Sequence, residues 1–76
     1  MNDSQEYTSE SYRFLRRKME YVLTLLVEDA TSTRAHELLA SVPDEYRSMA
    51  RDFLVDEAFL SGIRIRSLYV NGIRWI

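Results

Sequence analysis

The sequence predicts a mainly helical α+β fold, three helices followed by a C-terminal β-hairpin. Three observations carry that expectation. Apolar residues recur at helical spacing between Tyr12 and Leu26, Pro43 and Gly62 bracket a second long helical stretch, and Asn71-Gly72 stands between β-formers as a tight-turn signal. With 76 residues the chain holds one small core. Its composition, 46% apolar, 12% aromatic and 29% charged with two Gly and one Pro, is that of an ordered chain and lacks the disorder signature.

The first eight residues are polar and lack a periodic apolar set, so residues 1–8 are expected as a flexible lead-in and residues 9–76 as the domain. Thr8 or Ser9 is the expected cap of the first helix. Within it Tyr12, Leu15, Met19, Val22 and Leu26 follow at steps of three or four, one face of an amphipathic helix that stops near residues 28–30. One hydroxyl of Thr31, Ser32 and Thr33 then starts a short helix over residues 34–40, with Ala35, Leu38 and Leu39 inward. Pro43 disfavours helix at Val42 and opens a third helix with acids in its first turn, expected over 44–61 with Gly62 as the glycine stop. Beyond Gly62 the period shortens to about two. With Asn71 and Gly72 as the two loop residues of a type I′ turn, Val70 faces Ile73 and Leu68 faces Trp75, and these four form the core side. Only four residues follow Gly72, which leaves residues 63–66 without a hairpin partner, as an exposed edge or a pairing site.

Composition excludes several classes. There is no Cys, so disulfides and Cys-based metal sites are ruled out. The longest apolar run, residues 21–27, is broken by Thr24 and falls far short of the roughly 20 residues of a membrane span. The polar, acidic first eleven residues lack a basic and apolar leader pattern, and a cytoplasmic location is expected. Two glycines cannot build a phosphate loop, and His36 is the only histidine, without a metal-binding or nucleophile motif around it. The carboxylate pairs 28/29, 44/45 and 56/57 are sequence neighbours, which point about 100° apart on a helix and cannot share a proton. No enzyme, cofactor, metal or small-molecule substrate is expected.

Ten Lys and Arg against 12 Asp and Glu give a net charge of -2, but the charges come in blocks. Arg13, Arg16, Arg17 and Lys18 form a basic cluster between acidic stretches, and residues 63–76 carry Arg64, Arg66 and Arg74 with no acid. The basic cluster reads either as a phosphate-contacting strip or as charges paired with Glu10 and Glu20 whose stems cover apolar surface. On the first helix Phe14, Tyr21 and Leu25 form a second stripe, at roughly 180 to 220° from Tyr12. Two stripes need two neighbours. Either the helix is central, between the third helix and the hairpin, or one stripe is a homodimer interface. In the third helix Tyr46, Met49, Ala50, Phe53, Leu54 and Leu60 share the inner face, whereas Val55 and Phe59 lie opposite, as a partner contact or as surface covered by the hairpin.

Three helices and then a hairpin resemble the winged helix-turn-helix, with the second and third helices as the reading pair and residues 68–76 as the wing. That resemblance is one of topology over residues 9–76, and it implies DNA binding through Arg13, Arg16, Arg17, Arg47, Arg51, Arg66 and Arg74. The reading helix, however, carries Asp44, Glu45, Asp52, Asp56 and Glu57. The function expected first is therefore a small non-enzymatic regulatory module, an inhibitor, antirepressor or adaptor. It would bind a protein through Val55, Phe59, Arg64 and Arg66 and self-associate through Phe14, Tyr21 and Leu25. A DNA-binding regulator is the alternative.

Overall fold

The structure, a computed structural model, describes the backbone of residues 3–65 and 67–76 and side chains from Tyr12 onward, Arg66 excepted. Helix α1 spans Asp3–Glu28, α2 Thr33–Ala40 and α3 Asp44–Leu60, and strands β1 (Tyr69–Val70) and β2 (Ile73–Arg74) pair antiparallel. This is the expected α+β order. Residues 3–8, expected as lead-in, belong to α1, whose start precedes the Thr8 or Ser9 cap. No glycine or proline interrupts this stretch, and Asp3 and Glu6 suit the positive end of a helix dipole.

The connections follow from local chemistry. Asp29 closes the first turn: its Oδ1 accepts from the Thr31 amide (3.0 Å) and hydroxyl (2.7 Å). Ser32 is the hydroxyl that caps α2, its Oγ accepting from the Ala35 amide at 3.1 Å. The Ser41 hydroxyl donates to Leu38 O at 2.7 Å and accepts from Lys18 Nζ at 2.6 Å, tying α1 to the α2–α3 junction. Gly62, at φ 72°, completes a two-bond helix stop in which the Gly62 amide donates to Phe59 O and the Ile63 amide to Ala58 O.

In the hairpin Asn71 and Gly72 both have positive φ, 52° and 79°, as a type I′ turn requires. The register pairs Tyr69 with Arg74 and Val70 with Ile73. Two residues beyond, Leu68 O accepts from both the Trp75 and Ile76 amides while the Leu68 amide donates to Ile76 O. Two residues opposing one is a β-bulge. It puts Trp75 and Ile76 both against the core, where strict alternation would turn Ile76 away.

The core gathers Leu15, Met19, Val22 and Leu23 of α1 with Leu39 of α2, Leu54 of α3 and the hairpin residues Leu68, Val70 and Trp75. Ala35, Ala50 and Ala58 are also fully or nearly fully buried. Side chains this small let the helix axes approach closely.

Three expectations about the core are corrected. Leu60 is 69% exposed: the inner face of α3 centres on Ala50, Leu54 and Ala58, four residues apart, and Leu60 lies about 120° from Leu54 around the axis. Ile73 is 46% exposed although its partner Val70 is buried, because a twisted two-stranded ribbon turns its tip off the core. The hairpin packs through β1 against α2 and does not cover the second stripe of α1. After the Gly62 stop the chain runs past the C-terminal end of α1 and reaches α2 from there.

Two predictions follow from these turns. No heavy atom lies within 4 Å of where a Cβ on Gly62 would stand, so Gly62→Ala carries a conformational cost alone. Urea unfolding should show a loss of about 1 kcal/mol. The Thr31 hydroxyl and amide hold the Asp29 carboxyl below its ordinary 3.8. A folded-state value below the unfolded one stabilises above the ordinary carboxylate range, and that contribution disappears as pH falls through the lowered value. An NMR titration of the Asp29 carboxyl should show a low midpoint that Thr31→Val raises; equal midpoints would exclude the hydroxyl as its main cause.

Candidate functional site

On the described part of α1 the residues facing away from α2 and α3 include Arg13, Phe14, Arg17, Glu20, Tyr21 and Thr24, all exposed. Phe14 is 70% and Tyr21 50% exposed, with the Lys18 ammonium 6.0 Å from the Phe14 ring centre. Leu25, the third member of the expected stripe, is half-buried and packs against the core. It serves the interior, and the free stripe reduces to Phe14 and Tyr21.

The basic cluster divides. Arg16 turns toward α3, 3.7 Å from Asp56 and 3.8 Å from Glu57, with its guanidinium 5.3 Å from the Phe53 ring centre. Tyr12 meets the same ring edge-on at 5.8 Å. The pairing of Arg16 thus crosses between helices instead of running along α1 to Glu20; the Glu10 side chain lies outside the described residues. Sequence separation hid it, since its partners lie on α3. Arg47 pairs with Asp44 on its own helix, and Arg74 donates from Nε to Ile76 O at 3.1 Å. Among the described residues Arg13, Arg17, Arg51 and Arg64 make no hydrogen bond or ion pair. Arg66 lies outside the described residues.

On α3 the outward face carries Val55 (44% exposed) and Phe59 (79%) with Asp52 and Asp56 beside them, Asp44 and Glu45 farther along in the first turn, and Arg51 as its base. The hairpin does not cover this face; it docks on α2. Leu60 extends the apolar surface, a residue sequence reasoning placed inside. Its angular offset from Leu54 was the signal that could have found it.

The unpartnered residues 63–65 do not form a strand. Ile63 and Ile65 pack against the core while Arg64 is exposed, and the segment borders a groove of about 280 Å³ whose other wall is Leu23, Leu26, Val27 and Ala30. Shallower space of about 500 Å³ lies over Tyr12, Arg13, Arg16, Met49, Asp52 and Phe53.

His36 sits at the start of α2 with Nδ1 2.7 Å from Ser32 O. A carbonyl only accepts, so in this contact Nδ1 donates, and the ring braces the cap. Among the described residues no three of His, Asp and Glu gather within reach of one metal ion, and no helix is long and apolar enough to cross a membrane. No family model, curated protein or solved structure matches the chain.

Burial separates two kinds of apolar residue on α3. Leu54→Ala, at a fully buried position, should cost about 2–5 kcal/mol, whereas Phe59→Ala, despite removing more atoms, should stay within about 0.5 kcal/mol. Paired denaturation curves test this; equal losses would mean that Phe59 is packed.

Proposed function

We propose that the chain is a small non-enzymatic regulatory module, of the inhibitor, antirepressor or adaptor kind, that binds a protein partner through the outward face of α3. The observation that carries this reading is the composition of that face: Val55 and Phe59, exposed and four residues apart, flanked by Asp52 and Asp56. An exposed aromatic with an aliphatic neighbour and a charged rim is the pattern of a protein contact, and the carboxylates favour a basic partner surface.

The same face argues against the reading helix of a winged-helix DNA binder. Asp44 pairs with Arg47 and Asp56 with Arg16, which takes both bases away from phosphates, and Glu45 and Asp52 would still stand beside phosphates with Arg51 as the face's remaining base. The DNA alternative retains the helix-and-hairpin order and the exposed bases Arg13, Arg17, Arg64 and Arg74, which could meet phosphates away from α3.

Retention from host lysate, with and without nuclease, tests the two together. The expected outcome is a stoichiometric, nuclease-resistant protein held by the wild-type chain and lost from the Val55→Ser/Phe59→Ser variant, with no duplex bound at low salt. Duplex binding that weakens steeply with salt, unaffected by that variant, would move the function to DNA.

A further inference from the structure

We propose that residues 63–67 form a docking edge for an extended peptide segment of a partner protein. The segment it takes alternates apolar and acidic side chains and lies in the groove between this edge and the C-terminal end of α1. The edge is separate from the outward face of α3, so either proposal can fail without the other.

Burial here alternates as in an extended chain: Ile63 and Ile65 turn toward the core, and Arg64 between them is exposed. Ser67 is exposed again and Leu68 buried. The Ile63 amide donates to Ala58 O and the Leu68 amide to Ile76 O. Between these two points the backbone groups of Arg64, Ile65 and Ser67 make no hydrogen bond among the described residues. The described ladder of the hairpin begins only at Leu68. A stretch of this kind, with donors and acceptors left to water, is a template for one more strand.

The groove selects the strand. Its volume of about 280 Å³ falls below the roughly 300–1,000 Å³ of sites for drug-sized ligands, and it offers little room to a helix about 10–12 Å across. It suits the apolar side chains from one face of a strand whose backbone runs beside residues 64–67. Leu26 and Val27 wall it on one side, Ile63 and Ile65 on the other. Residues directly opposite in two paired strands share a face, so side chains across from Ile63 and Ile65 enter among apolar groups. The side chain across from Arg64 stands in solvent beside a guanidinium. Arg64 has no acidic partner among the described residues. The acids at the α1 end of the groove do not supply one: the Asp29 carboxyl is held by Thr31, and Glu28 lies about 100° round α1 from Val27. An acid on the incoming strand completes that pair. A second copy of this edge does not provide it, since residues 63–76 contain no acid.

The test is an NMR titration of the isotope-labelled chain with a short capped peptide of alternating valine and glutamate. The amides of Arg64, Ile65 and Ser67 should shift saturably. A peptide with lysine in place of glutamate should bind at least about fivefold more weakly. One with the same side chains but alternate amides N-methylated should lose about tenfold, because it cannot donate to the edge. Arg64→Glu should reverse the order of the two charged peptides. Val27→Asp, at a position 57% exposed, should abolish binding while circular dichroism shows the helices intact. Should Val27→Asp unfold, the reversal by Arg64→Glu, also at an exposed position, decides. Absence of saturable shifts overturns the proposal, as do shifts confined to α3. Equal binding of the two charged peptides, or of the N-methylated one, overturns it as well. So does octanoate, an apolar carboxylate without amides, if it shifts the same residues as strongly as the peptide, since the groove would then be a site for a small ligand.

Discussion

The rest of the structure depends on one apolar contact, the stripe of α1 formed by Leu15, Met19, Val22 and Leu23, buried beneath α2 and α3. Met19 and Val22 are fully buried, as are Leu39 of α2 and Leu54 of α3. An isolated eight-residue helix such as α2 does not hold in water, so α2 exists because Ala35 and Leu39 have this stripe to pack on, and the hairpin in turn docks on α2. The polar ties are placed at the edges of the contact. Lys18 reaches Ser41 at the α2–α3 junction, and Arg16 reaches Asp56 and Glu57 over the Phe53 ring. These ion pairs are half-exposed, and their worth lies as much in fixing how α3 sits on α1 as in Coulomb energy.

Legibility in the sequence followed the range of the interactions. The Asn71-Gly72 turn, the Gly62 stop, the start of α3 at Pro43 and the hydroxyl cap of α2 are decided by residues within a few positions of one another, and each could be read directly. Features decided between elements could not. Ala50 was legible on the inner face of α3, but Ala58 carries little hydrophobic signal and Leu60 took its place in the pattern; only packing against α1 reveals that Ala58 is inside and Leu60 outside. The bulge at Trp75 and Ile76 depends on how the hairpin meets the core and breaks the simple alternation that periodicity assumes. Arg16 had Glu20 one turn away on its own helix, yet its described partners are on α3.

The candidate surfaces were legible to the same degree. Phe14, Tyr21, Val55 and Phe59 were separable from the main stripes by their angle, and they are exposed. Leu25 was misread: it shares the angle of the outer stripe, yet it is half-buried against the core. A small core leaves little reserve of stability, and a partner that covers an exposed aromatic face adds to it. On this account one face of α1 organises the chain's own core, and the aromatic residues Phe14, Tyr21 and Phe59, with Val55, stand outside it.

The dependence of α2 on the α1 stripe is tested most directly by amide hydrogen exchange in the wild-type chain and in Met19→Ala, at a fully buried position of that stripe. The account predicts that the α2 amides lose protection in the variant, because an eight-residue helix does not hold without its packing surface. A variant whose α2 amides stay protected as in the wild-type chain would contradict the account.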